Sequence, residues 1–394
     1  MRKLHPYSQE FMSKRVYLDN AATTPIRQEV LDAMMPFLTS SFGNPSSIHQ
    51  EGRMTRAAIE SARKTVANLI GASTGEIFFT SGGTESNNMA IKCAVTDLGV
   101  KRIITSPVEH HCVKHSVEHL ETNKQVKVDL VKIDQYGMPD FDHLEQLLAK
   151  DEGPTLVTLM HANNELGSML DMNELSVLCK KYGAYLHSDT VQTVGHFPVN
   201  VQQTPVDFIS GAAHKFYGPK GIGFIYINNK CHIHPFIDGG SQERNMRAGT
   251  ENLSGIVGLA KAMQLAYAEL EQDIAHISGL KEYMKEQLAM ACPGIYFNGH
   301  PTQSLYTVVN VSFPPGPHAE LMVMSLDIAG VSASGGSACS SGAESQSHVL
   351  NAIGHPTDRK AVRFSLSRNT TKEDIDFAVE QVIGIMANHV HAYT

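Results

Sequence analysis

The feature that most constrains this chain is a regular alternation of short β-branched or aromatic runs with longer amphipathic ones between residues 76 and 160. The runs at 76–80, 102–105, 126–133 and 155–160 are rich in Ile, Val, Phe and Thr and predict strands. Between them, 89–98, 111–121 and 141–149 predict helices. Strands that alternate with helices join as a mainly parallel sheet covered on both faces, so the expected fold class is α/β. In such sheets ligands sit beyond the carboxyl ends of the strands, which makes the residues after each strand the place to look for chemistry.

The first of these strands runs into Ser81-Gly82-Gly83-Thr84 and then a helix. A glycine turn opening a helix gathers unpaired backbone N–H groups, which with the Thr84 hydroxyl suit a phosphate; an ordinary N-cap with nothing bound fits equally well. Later strands are followed by Glu109-His110-His111, by His161, Asn163 and Asn164, and, after 185–187, by Asp189 and Gln192. One such residue is usually a turn residue. An imidazole, an amide and a carboxylate on one sheet edge are harder to assign to turns. A further strand at 206–209 breaks into small residues, then His214-Lys215 and a Gly218-Pro219-Lys220-Gly221 turn.

Lys215 and Lys220 could be surface turn lysines. A lysine between a buried strand and a tight turn is costly to desolvate as an ammonium, so it must be paired or have its pKa lowered, and a Schiff base with an aldehyde cofactor does the second. Pyridoxal phosphate (PLP) needs such a lysine together with a pyridinium partner, a stacking group and a phosphate cradle. The residues just named include a candidate for each.

With 394 residues, 42% of them hydrophobic and 18% charged, the chain can bury a large core and is expected to form two lobes. A net charge of -8 supplies no basic field, so nucleic acid and anionic membrane are poor partners. No apolar run reaches the roughly eighteen residues of a membrane span. Residues 1–15 are basic but lack an apolar segment, which argues against a secretory signal, and Glu10 argues against a transit peptide. The six cysteines, at 93, 112, 179, 231, 292 and 339, show no Cys-x-x-Cys pair and no zinc spacing, so no metal is expected and a reducing, cytoplasmic setting is. Five of them sit in apolar or helical contexts where a thiol is inert packing. Cys339 differs: after Val331 no bulky apolar residue occurs up to Ser347, so that thiol is expected on a mobile loop, exposed and reactive.

The rest of the chain supplies connections. Asp19-Asn20-Ala21-Ala22-Thr23-Thr24-Pro25 leads into a helix over 27–39, and a loop at 42–49 precedes a charged amphipathic helix to about 70. A polar segment at 240–252 carries Arg244, Arg247 and Thr250, and one long helix is expected to follow to about 289. Strands at 306–313 and 360–366, with helices at 319–326 and 372–392, predict a smaller α+β lobe. The expected division is 18–265 for the large lobe, with 1–17 and 266–394 forming the small one.

In this order the motifs 19–25, 80–88, 163–167, 214–221, 247–252 and 336–341 resemble the cysteine desulfurases of the class V aminotransferase group, PLP enzymes of fold type I, from about residue 17 to the C-terminus. The resemblance implies a homodimer that converts L-cysteine to L-alanine. It implies that Lys215 carries PLP and serves as mobile base, that His110 stacks on the ring and moves protons, and that Asp189 pairs with the ring nitrogen. Gln192 and Asn164 would lie near the phenolic oxygen. Gly83, Thr84 and His214 would hold the phosphate, joined by Thr250 of the second subunit. Arg363 would clamp the substrate carboxylate beside Asn164, and Cys339 would take the sulfur as a persulfide. A sulfur-acceptor protein, either an iron-sulfur scaffold or a tRNA-thiolation relay, would then receive it.

Three departures from the family pattern carry expectations. Ala212 stands where many members have a serine hydroxyl on the phosphate, which predicts weaker cofactor retention. Glu344-Ser345-Gln346-Ser347 replaces a proline-containing run, which predicts a less restrained loop. The chain stops at Thr394 without an extra tail, which leaves the acceptor open. The rival readings are a selenocysteine lyase or other class V transaminase or lyase, and, from another class, a catalytically silent paralogue acting as a binding or scaffold protein.

Overall fold

The computed structural model of the chain describes residues 14–150, 152–335 and 347–388. A short strand β1 (Val16–Tyr17) precedes the strands of the main sheet: β2 (Ile77–Thr80), β3 (Arg102–Thr105), β4 (Lys127–Leu130), β5 (Thr155–Thr158), β6 (Tyr185–Asp189), β7 (Phe208–Ala212) and β8 (Gly223–Ile227). Their order is β2-β8-β7-β6-β5-β3-β4; β8 runs antiparallel to both neighbours, and every other pair is parallel.

Successive residues of one strand point to opposite faces, and this alternation divides the strands between separate cores. Ile104, Val157, Ile209 and Phe224 face the helices Gln50–Ile70 and Leu253–Ala268, packing with Val66, Ile70, Leu259 and Met263. Their neighbours Ile103 and Leu156 pack with Ala94 and Val117, while Phe208 and Ile225 pack with Met89. Both faces are therefore covered, as the alternation of elements requires.

The differences from the sequence expectations have local causes. The strand expected at 206–209 occupies Phe208–Ala212, because the small residues Ser210, Gly211 and Ala212 are buried and paired to β8. Strand β8 itself was hidden behind the glycine turn; the Phe224 ring packs against Gly211, where a larger residue would collide with it. The strand expected over 126–133 is only Lys127–Leu130, an edge strand with an exposed Leu130 and partly exposed charged residues. The helix expected at 89–98 begins at the glycine turn and spans Gly83–Asp97. The single long helix after 252 is two, Leu253–Ala268 and Leu270–Ala291, parted at Glu269, whose carboxylate accepts from Arg27 at 2.7 Å and from Arg368.

A second sheet holds β9 (Tyr296–Asn298), β10 (Val308–Phe313) and, beyond the short β11 (Val331–Ser332), β12 (Lys360–Ser365), with β10 antiparallel to both partners. Strand β1 pairs in parallel with β11. Val311, Phe313, Val362 and Phe364 form a separate core with Ile277, Met284 and Ile375. We place the boundary between lobes near 266 because Ala266 packs in the first core and Ile277 in the second. Leu18 also packs in the second core, one residue past the N-terminal boundary expected for it.

Candidate active site

The carboxyl ends of β2, β6 and β7 open onto one cavity of about 380 Å³, lined among others by Gly83, Thr84, His110, Asn164, Asp189, Gln192, His214, Lys215 and Arg363. Nine of the expected site residues thus meet in one space. Thr250 does not: it lines a separate cavity with Ser81, Gly221 and Arg247. Cys339 and the 344–346 run lie outside the described residues.

Each group reaches the cavity for a local reason. Lys215 ends the single turn Ala213–Lys215 that follows β7, and its Nζ donates to Ala21 O at 2.5 Å and Ala22 O at 2.9 Å, two carbonyls of the 19–25 motif. Gln192 donates to the same Ala21 carbonyl at 3.1 Å. Asp189 ends β6 and is buried; Oδ2 accepts from Asn87 Nδ2 at 2.7 Å and Oδ1 from the Val191 amide at 3.0 Å. His110 caps the helix His111–Thr122, its Nδ1 accepting from the Cys112 amide at 3.2 Å.

The segment expected to cradle a phosphate is the start of the helix Gly83–Asp97. Its cap residue Gly82 has φ +155°, a conformation open to glycine, and supplies no side-chain cap. At Gly83 a Cβ would lie 2.6 Å from Val191 Cγ2, so only glycine lets the turn approach the segment after β6. His214 faces Thr23 Oγ1 at 3.2 Å, and burial, followed by Lys215 and Lys220, lowers its pKa to about 4. It is therefore neutral at physiological pH. Ala212 lines the cavity beside this cradle and offers it no hydroxyl.

Arg363, on β12, is 1% exposed. Its Nη2 donates to Asp19 Oδ1 at 2.7 Å and its Nη1 to Asn164 O at 2.8 Å, while Nε is buried without a partner. A guanidinium that lines a cavity with an N–H to spare on each Nη suits a planar carboxylate.

Several cavity residues escaped the sequence reading. Asn87 lay inside the 80–88 motif, one helical turn after Gly83, so its position was legible as the same helix face. Cys112, expected as inert packing, lines the cavity with Sγ 3.0 Å from His110 Nδ1. Burial pushes that thiol up to about 12. His348 and Asp19 make contacts across more than two hundred residues, His348 Nε2 on Glu109 O at 2.9 Å and Asp19 on Arg363, and no local pattern announces them.

This donor set fits PLP. A buried carboxylate stands ready for the ring nitrogen, an amine lines the same cavity, and an uncapped helix start with a close glycine approach can take the phosphate.

The comparisons agree with this geometry. The family model described as Aminotransferase class-V matches residues 16–377. A protein named cysteine desulfurase IscS from Dictyoglomus turgidum is 48% identical over 373 residues, covering 94% of each chain. The solved structure of a NifS-like protein superposes with a TM-score of 0.87 at 36% identity, covering 95% of this chain and all of that one. A structure described as SspA in complex with cysteine gives a TM-score of 0.78 at 30% identity, over 90% of this chain and 99% of that one. The chain belongs to the class V aminotransferase family, in its cysteine desulfurase branch, with the PLP-dependent fold type I that its sheet and cavity display.

Proposed function

We propose that the chain takes L-cysteine into the cavity between Lys215, His110 and Arg363, releases L-alanine and keeps the sulfur as a persulfide on Cys339. In this reaction the carbon–sulfur bond breaks, the carbon keeps the electron pair and takes a proton, and a sulfur–sulfur bond forms on the Cys339 thiolate. One observation carries the reading: Lys215, Asp189 and Arg363, brought from the ends of β7 and β6 and from β12, line a single cavity.

Bound PLP supplies the electron sink that lets carbon bear the charge. The chain's own residues do the rest. Asp189 would pair with the ring nitrogen and keep it protonated, His110 would stack on the ring and pass protons, and Gly83, Thr84 and His214 would hold the phosphate. Gln192 and Asn164 would lie near the phenolic oxygen. Arg363 and Asn164 would orient the substrate carboxylate, and the Lys215 amine would hold the cofactor and move protons at Nζ.

The assembly belongs to the same proposal. Leu38, Phe42, Ile48 and Met54 are all exposed, with Phe42 at 76% and Ile48 at 87%, and large apolar side chains left exposed along one stretch of chain suit burial in a homodimer interface. A second copy would bring Thr250 to the phosphate, which accounts for its separate cavity. The persulfide would pass to a sulfur-acceptor protein serving iron-sulfur cluster assembly or tRNA thiolation. We assign the enzyme to the cytoplasm: five described cysteines are free, and no described helix is long and apolar enough to cross a membrane.

Purified protein should be yellow, with a chromophore that borohydride bleaches and Lys215→Ala abolishes, and should form alanine from L-cysteine. Protein that stays colourless when offered PLP would favour the silent paralogue. Full turnover in Cys339→Ser would favour a transaminase.

A further inference from the structure

The proposed sulfur transfer leaves one cavity thiol unused. Cys112 Sγ stands 3.0 Å from His110 Nδ1 and accepts from Asn87 Nδ2 at 3.3 Å. The backbone N–H of Cys112 donates to the same Nδ1 at 3.2 Å. Asn87 Nδ2 also donates to Asp189 Oδ2 at 2.7 Å, and Asn87 Oδ1 faces His187 Nε2 at 3.1 Å. Because the amide donates to sulfur, the S–H is left to donate elsewhere; Nδ1 lies in reach at 3.0 Å, and the Thr84 hydroxyl also bonds the thiol. Nδ1 then presents a lone pair, and the ring proton sits on Nε2.

The ligand atoms of His110, Cys112 and Asp189 lie within 4.8 Å of one another, a spacing that a metal ion could also use. The donors point the other way. Nδ1 already accepts a backbone N–H on its one lone pair, and each Asp189 oxygen already accepts an N–H, so the cluster is satisfied without a cation.

We propose that Cys112 is a positioning residue for His110: its protonated thiol caps Nδ1 and, with Asn87, holds the imidazole as the neutral Nε2–H tautomer, tied to the Asp189 carboxylate. The inference rests on the role proposed for His110. Burial pushes the Cys112 thiol up to about 12, which keeps the S–H in place and keeps this sulfur from competing with Cys339. Burial also holds His110 below the usual imidazole range; Asp189 opposes that, while Lys215, His348 and His115 add to it. Forming an imidazolium requires a hydrogen on Nδ1, against both the N–H and the S–H of Cys112. Without the thiol, one of those two opposing donors is gone.

The test compares Cys112→Ala and Cys112→Ser holoenzymes with the parent, following the acid limb of kcat and the cofactor absorbance against pH. In Cys112→Ala both midpoints should rise by about half to one pH unit, the worth of one hydrogen bond. Cys112→Ser, whose hydroxyl also donates, should bring them back toward the parent values. In the apoprotein, iodoacetamide should label Cys112 far more slowly at pH 8 than a free cysteine and gain rate only in strong alkali. Superimposable Ala and parent profiles, a serine variant that behaves as alanine, or apoprotein labelling as fast as free cysteine would each overturn the proposal. A parent protein with no chromophore would defeat the functional reading instead, and the labelling would still decide the state of the thiol.

Discussion

Replacing Arg363 with lysine separates charge from geometry at the proposed carboxylate clamp. The guanidinium has five N–H donors; one is engaged by Asn164 O at 2.8 Å, one by Asp19 Oδ1 at 2.7 Å, and the Nε–H has no partner. The Nε–H is buried, and one further N–H remains on each Nη; those two can give a carboxylate two N–H bonds in the cavity that Arg363 lines. Lysine has three N–H, and the same two acceptors claim two, so one remains. The difference is one charge-assisted hydrogen bond of about 1.5–3 kcal/mol, or roughly a 10- to 150-fold rise in KM for L-cysteine. Alanine formation against L-cysteine concentration measures it, and kcat and the cofactor spectrum should move little. A KM within about twofold of the parent, at an unchanged spectrum, would refute the clamp, because one lost bond to a charged group cannot cost so little.

Other perturbations probe the supports of the site. Glu243→Ala removes the buried carboxylate that holds the Arg63 guanidinium at 2.6 and 2.9 Å, leaving it Glu60 at 3.0 Å and the Ile77 carbonyl at 2.8 Å, and should cost about 3 kcal/mol in urea unfolding; a loss below about 1 kcal/mol would contradict a structural role for the pair. His187, fully buried between Thr158 and Asn87, has its pKa lowered to about 4 by burial. The unfolded chain therefore binds one more proton at this residue between about pH 4 and 6.5: its contribution is fully present above 6.5 and is lost as pH falls toward 4. His187→Asn should flatten the fall in melting temperature across that window, and an unchanged slope would refute the assignment. Ala212→Ser restores a hydroxyl beside the phosphate cradle and should slow PLP loss by about 2- to 10-fold, read by dialysis and absorbance; unaltered retention would show that this hydroxyl is not used.

Much of the fold was legible because its signals are local. The strand Arg102–Thr105 and the helix starting at His111 fall where hydrophobic periodicity put them, since packing on both sheet faces demands the pattern that periodicity detects. Strand β8 was not, because its pairing with β7 depends on a turn whose Gly-Pro-Lys-Gly chemistry reads as an ending. The split at Glu269 depends on Arg27 and Arg368, neither of them near it in sequence. The same rule governs the site. Lys215, His110 and Asp189 follow strands and could be found by position, whereas the Asn87–Asp189 and Asp19–Arg363 contacts span 102 and 344 residues. Cys112, read as packing from its helical context, does pack against a core; that its sulfur also lines the cavity depends on where the helix start faces, which no local pattern gives.

The central claim is that a cavity amine and a separate thiol divide the work of taking sulfur from cysteine. Its most direct test is to incubate the purified protein with L-cysteine, quench in the first turnover, and map the added sulfur by peptide mass spectrometry while assaying alanine. The account predicts one extra sulfur on the Cys339 peptide, none on Cys112, and alanine in equal amount. Alanine formed with Cys339 unmodified, or sulfur carried on another cysteine, would contradict it.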